Sequence, residues 1–150
     1  MDIIDTPNLN EARKQIAKSK KEGKMVIVKA KESEFNRKIL ENKDVDVLLS
    51  PEIHDRKDML KQRDSGLNEV LCKIAAKNNI SIGINLEEIS KMPAKEKAIT
   101  ISRIMQNIRL CKKTDAKISV LPEEKYKKQD ILSLFLSLKG STAMASKAAY

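Results

Sequence analysis

A single histidine, His54, is present in the chain, so any triad with a histidine base would rest on it alone. It follows Glu52 by two residues and adjoins Asp55, in a polar stretch from Glu52 to Ser65. Glu52, Asp55, Asp58 and Asp64 could together hold a hard cation through carboxylate oxygens. Arg56, Lys57, Lys61 and Arg63 interleave with them, and that mixture predicts a loop of mutual salt bridges instead. A solvent-exposed loop residue is the plainer reading of His54. Cys72 and Cys111 offer no zinc spacing. Each falls inside an apolar helical pattern, where a free thiol behaves as a small hydrophobe, so no disulfide is expected.

Phosphate chemistry leaves a stronger trace. None of the four glycines forms a GxGxxG or Walker pattern. Gly66, however, opens a helical pattern directly after Asp64 and Ser65. Backbone N–H groups there could hold a phosphate, or Asp64 or Ser65 could simply cap the helix. The net charge is +9 and the sequence pI is about 9.5, a balance that attracts polyanions. Basic residues gather in four segments: Arg13 to Lys24, Arg56 to Arg63, Arg103 to Lys113 and Lys125 to Lys128. Acids are mixed among them, so much of this charge is ordinary helix surface. Aromatics make up only 3% of the chain, too few for a surface that stacks bases on aromatic rings. RNA would be met through phosphates and shape.

The elements that position these residues alternate along the chain. Strands are expected at Asp2–Ile4, Met25–Val28, Val45–Leu49, Ile80–Asn85 and Lys117–Leu121. Helices are expected from Asn8 to Gly23, from a Ser33 cap through Leu40, and from Gly66 to Lys77. A long helix begins at Pro93 with Ile101, Ile104, Met105, Ile108 and Cys111 as its stripe. Two more are expected from Asp130 to Leu138 and from Thr142 to about Ala149. Strand and helix in turn mean βαβ units and a parallel sheet. A full eight-fold barrel takes about 250 residues, so 150 residues with five strands predict a single domain that is either an open sheet or a reduced barrel. No apolar window reaches the roughly 18 residues of a membrane span, and the start has no signal-peptide pattern. A cytoplasmic protein without a membrane partner is the expectation.

Three runs make the reading more specific: Val45-Asp46-Val47-Leu48-Leu49-Ser50-Pro51-Glu52, Arg63-Asp64-Ser65-Gly66-Leu67-Asn68-Glu69-Val70-Leu71 and Ala75-Ala76-Lys77-Asn78-Asn79-Ile80-Ser81-Ile82. Together they resemble ribonuclease P protein component 3, the barrel subunit shared by archaea and eukaryotes. Arg63 to Asn68 is the most distinctive piece. A strand ending at Asn85, a long helix carrying Arg103 and Arg109, and a tail with Asp130-Ile131-Leu132, Gly140, Ala145 and Ala148 continue the likeness. It covers Asp44 to the C-terminus well and the earlier part by pattern. The chain is shorter than family members, and Leu121 to Lys128 lacks the family's Ser- and Arg-containing turn.

The resemblance implies an α/β reduced or incomplete TIM-like barrel, parallel strands alternating with helices. It implies a non-catalytic protein subunit of a ribonucleoprotein that removes the 5′ leader of precursor tRNA. The RNA would do the chemistry with magnesium, and this chain would bind no cofactor or metal. Its partners would be ribonuclease P RNA, a smaller protein subunit of ferredoxin-like fold and, indirectly, precursor tRNA. The candidate RNA- or partner-binding residues are Lys57, Lys61, Arg63, Asp64, Ser65, Gly66, Asn68, Arg103, Arg109, Lys112 and Lys113. Arg63 is expected to pair with a carboxylate or a phosphate, with Asp46 and Asp64 as internal alternatives. Two other functions stay open at this stage: a stand-alone metal-dependent hydrolase of barrel fold, and a general RNA-binding scaffold.

Overall fold

Successive residues of a strand point to opposite faces of a sheet, and here both faces are apolar. The computed structural model describes residues 2–148. Its strands are β1 (Ile3–Ile4), β2 (Ile27–Lys29), β3 (Val47–Leu49), β4 (Ser81–Asn85) and β5 (Ile118–Leu121). All are parallel and lie in sequence order in one sheet. Between and after them run α1 (Leu9–Lys21), α2 (Ser33–Leu40), α3 (Glu69–Lys77), α4 (Leu86–Ser90), α5 (Ala94–Thr114), α6 (Lys128–Ser137) and α7 (Thr142–Ala148). The expected last residue of the final helix, Ala149, lies outside the described residues.

One face of the sheet carries Ile4, Val28, Leu48, Ile82 and Ile118 in a single row. These side chains join the main core with Ala12 and Ile16 of α1, Ile39 of α2, Leu71 of α3 and Ile108 of α5. The other face carries Ile27, Val47, Leu49 and Leu121, with Ile3 beside them. Ile27 of β2 and Leu121 of β5 line one shared recess, although two strands separate them in the sheet. The sheet therefore curls around its own inner face, as a barrel does. Among the described residues no ladder joins β5 back to β1, so the barrel is incomplete. Gly83 makes the curl possible at its centre: a Cβ there would stand 2.7 Å from Val47 Cγ1 and 3.0 Å from Leu49 Cδ1.

Several expected boundaries shift for local reasons. Asn8 caps α1, its side chain accepting from the N–H groups of Asn10 and Glu11. Glu32, not Ser33, caps α2 through the N–H groups of Glu34 and Phe35. α3 starts at Glu69 instead of near Gly66, because Asn68 is its cap and accepts from the Leu71 N–H at 2.9 Å. The buried face of α5 is Thr100, Arg103, Ile104, Asn107, Ile108 and Cys111. Ile101 and Met105, expected in that stripe, are only half-buried. Both cysteines are free and buried, and the hydrogen bond with Cys72, together with burial, holds the Cys111 thiol above its ordinary value. No helix among the described residues is long and apolar enough to cross a membrane.

Candidate nucleic-acid interface

The long irregular segment between β3 and α3 leaves the C-terminal end of the sheet, the end where sites gather in parallel α/β folds. The chain turns out of β3 at Ser50, a non-glycine residue at φ 56°. From there it runs across α5, where Arg103 makes most of the contacts that hold it. Arg103 is buried, with 7% of its surface exposed. Its Nη1 donates to the carbonyl of Glu52 at 3.1 Å and to that of His54 at 3.5 Å. Its Nη2 donates to the Arg56 carbonyl at 3.0 Å, and its Nε to Asp58 Oδ1 at 3.1 Å. A planar guanidinium with five donors suits this fan of acceptors. The guanidinium is thus turned into the chain rather than toward solvent, which removes Arg103 from the exposed phosphate contacts.

Asp58 is the second organiser. It accepts from Arg63 Nη1 at 2.9 Å, from the Asp64 N–H at 2.6 Å and from Arg103. Partial burial opposes its ionisation, but these three donors prevail and hold its carboxyl down to about 2. Arg63 therefore does pair internally, though with Asp58 rather than Asp46 or Asp64. Asp46 instead accepts from the Val26 N–H at 2.8 Å. Asp64 pairs with Arg56 at 2.9 Å and accepts from the Gly66 N–H at 3.1 Å. Burial works against Asp64, and the Arg56 and Gly66 hydrogen bonds outweigh it, leaving its carboxyl below the ordinary range.

His54 is not a solvent-exposed loop residue: its side chain is 8% exposed. Its Nδ1 accepts from the Arg56 N–H at 3.1 Å, so the proton sits on Nε2, which donates to the Asp64 carbonyl at 2.6 Å. Burial lowers its pKa, with the Arg56 and Arg103 charges adding to that. Both ring nitrogens are engaged in holding the loop, which leaves none to act as a hydrolase base. Glu52 is fully buried and its Oε1 has no hydrogen-bond partner among the described residues. Burial pushes its carboxyl up to about 8.

Gly66 permits a close approach, but to the chain itself. At φ 79°, a Cβ there would stand 1.9 Å from the Pro51 carbonyl oxygen. Its N–H is taken by Asp64, and α3 begins three residues further on, after the Asn68 cap, so neither of the two expected readings of Gly66 describes it. Ser65 is buried and accepts at its carbonyl from Asn107 Nδ2 at 3.1 Å, and Gln106 reaches its hydroxyl at 3.3 Å. Asn107 was not among the candidates. The spacing 100, 103, 104, 107, 108, 111 would have found it, because that set traces one helical face with Arg103 and Asn107 as its polar members.

The remaining cations divide into two groups. Lys57, Lys61 and Arg63 ring the outer edge of the loop and are exposed. Arg109, Lys112 and Lys113 are exposed on α5; Lys113 pairs with Glu69 at 3.0 Å. Lys113 lies ten residues past Arg103, about 15 Å along the helix axis, so the structure does not gather the candidates into one patch. Between the loop and α5 lies a cleft of about 770 Å³ lined by Lys29, Lys31, Arg56, Lys57, Asp58 and Arg103, among others.

A family model described as RNase P subunit p30 matches residues 3–138. The chain belongs to that family. Among relatives in the RNase P subunit p30 family, ribonuclease P protein component 3 of Methanococcus vannielii is 31% identical over 113 residues, 75% of this chain and 46% of that protein. The same component of Methanocaldococcus jannaschii is 28% identical over 125 residues, 82% of this chain and 51% of that protein. The chain thus spans about half the length of the curated relatives it matches. A chain in a cryo-EM structure of archaeal ribonuclease P with mature tRNA shares the fold, with TM-score 0.77 and 22% identity over 97% of this chain and 62% of that one. An amidohydrolase crystal structure is similar at TM-score 0.60 and 13% identity, covering 95% of this chain and 35% of that one. The chain thus shares its fold with a structure named as an amidohydrolase as well, and fold alone assigns no chemistry.

Proposed function

We propose that this chain is a protein subunit of ribonuclease P, supporting the catalytic RNA as it removes the 5′ leader of precursor tRNA. The observation that carries this reading is the family match across residues 3–138, with relatives named as ribonuclease P protein component 3. The net charge of +9 suits a partner made of phosphates. The loop geometry suits a rigid support: His54, Asp58, Asp64 and Arg103 are each engaged in hydrogen bonds that hold the loop.

In this reading the chemistry belongs to the RNA, with magnesium held there. Asp58, Asp64 and Glu52 of the loop suit magnesium poorly, since Asp58 and Asp64 are paired with arginines and Glu52 is buried. Lys57, Lys61 and Arg63 at the loop, and Arg109, Lys112 and Lys113 on α5, are the side chains assigned to RNA phosphates or to a partner subunit. Arg103, Asp64, Ser65, Gly66 and Asn68 act by shaping the loop. A smaller subunit of ferredoxin-like fold is assigned as the protein partner, and the cytoplasm as the compartment.

The test is a native pull-down of the tagged chain with sequencing of the RNA that accompanies it. One structured RNA, enriched and able to cleave precursor tRNA leaders with magnesium, is expected. A mixture of abundant RNAs, or none, would overturn the assignment.

A further inference from the structure

The outermost part of the β3–α3 loop is a tight turn. Met59 and Gln62 form an antiparallel bridge, with the Gln62 N–H donating to the Met59 carbonyl at 3.4 Å. Two apolar side chains stand on this turn in full view of solvent: Met59 is 72% exposed and Leu60 106%. Single exposed apolar residues are ordinary. Adjacent ones at the tip of a braced projection are not, because the fold gains nothing from them.

The projection is held from below at its first residue. Asp58, immediately before Met59, accepts hydrogen bonds from Arg63, the Asp64 N–H and Arg103. The turn is therefore anchored at both ends to one carboxylate and, through Arg103, to α5. Lys57 and Lys61 flank the apolar pair, and neither makes an ion pair among the described residues, whereas Asp58 and Asp64 are neutralised by Arg63, Arg103 and Arg56; the loop's remaining exposed acid, Asp55, lies two residues before Lys57 and outside the turn. A braced apolar tip between two free cations matches a partner that offers phosphates beside a flat apolar face.

We infer that the 57–63 turn is an RNA-docking tip, with Lys57 and Lys61 on phosphates and Leu60, supported by Met59, set against an unpaired base in a loop or bulge. Aliphatic side chains wedge against bases in this way in nucleic-acid complexes. Paired A-form RNA hides its bases in a deep, narrow groove, so an unpaired segment is the part such a tip can reach. The inference rests on the reading of the chain as an RNA-binding subunit and adds to it the segment and its apolar contact.

The experiment uses the full chain and a transcript of Methanocaldococcus jannaschii ribonuclease P RNA, with affinity measured across a salt series. Leu60→Ser is expected to weaken binding about tenfold, the scale of an apolar side chain losing its burial, with the salt slope unchanged. Lys57→Ala with Lys61→Ala is expected to lower the slope of log affinity against log salt by about 1.5, from two lost phosphate contacts. A benzophenone amino acid at position 60 is expected to crosslink to an unpaired nucleotide. Wild-type binding combined with unchanged Leu60→Ser affinity would overturn the tip and leave the subunit reading standing, as would crosslinks in the reconstituted complex to protein alone. No binding by the wild-type chain would overturn both.

Discussion

At the scale of single residues, Glu52 and Arg103 show how little of this loop is free to do chemistry. Glu52 carries the same carboxyl as Asp58, yet burial raises one to about 8 and a triad of donors lowers the other to about 2. The unfolded chain releases the Glu52 proton near 4.5, whereas the fold keeps it until about pH 8. Between those values the folded state holds the extra proton, so stability falls as pH rises. His54 has a folded pKa below 6.5 and contributes the opposite slope only below that value. Above about 6.5 the His54 contribution has ended, and from there to about 8 the Glu52 slope stands without it. Unfolding free energy should decline there by up to about 1.4 kcal/mol per pH unit, and Glu52→Gln should flatten the profile in denaturant titrations; an unchanged slope would mean that another group titrates. Arg103 is the complementary case. Replacing it with lysine keeps the charge but loses the fork that spans Glu52, His54, Arg56 and Asp58. We expect a loss of about 2–4 kcal/mol and faster proteolysis within residues 52–66, with far-UV circular dichroism unchanged.

The elements depend on how the loop hands the chain from β3 to α3. Gly66 lies against the Pro51 carbonyl at a positive φ, so Gly66→Ala meets both a clash and backbone strain and should lower stability by about 3 kcal/mol or more. Asn68→Ala removes only the cap and should lower it by about 1 kcal/mol; equal losses in thermal unfolding would contradict this ordering. The same contrast explains what could be read from the sequence. β-branched runs announced all five strands, because a strand buried on both faces needs apolar residues throughout. Their first residues were misplaced: the Val26 carbonyl accepts from both Asp46 and Val47 N–H groups, and the Asp46 side chain returns to Val26, so Met25, Val26, Val45 and Asp46 precede the regular ladder. α4 has five residues and two apolar ones, too short to show a period. The loop was the least legible part. Its partners are distant in sequence, with Arg103 and Asp58 45 residues apart, and no local pattern states that pairing. Arg103 and Arg109 look alike as spaced arginines; only the helical phase of α5 sends one inward and leaves the other outside.

At the scale of the whole molecule, the open sheet raises the question of what keeps its edges from pairing with other chains. Two explanations give different outcomes. A net charge of +9 repels like molecules, and that repulsion fades as salt shortens the Debye length from about 10 Å at 0.1 M to about 4 Å at 0.5 M. The edges themselves are also blunt. β1 has two residues, and Asp2 and Asp5 bracket it while pairing with Lys24 and Lys31. β5 has four residues, stops before Pro122 and packs against α7. A proline offers no N–H to a neighbouring strand, and a two-residue ladder offers too few bonds to offset the entropy of association. Edge geometry, being insensitive to salt, predicts a monomer in sedimentation velocity at both 0.05 M and 0.5 M sodium chloride. Association that appears only at the higher salt would make charge the protecting factor. Asp2→Val with Asp5→Val separates the two further: it lengthens the apolar edge while raising the net charge by two, so association of this variant at low salt would show that the edge, not the charge, keeps the native chain apart.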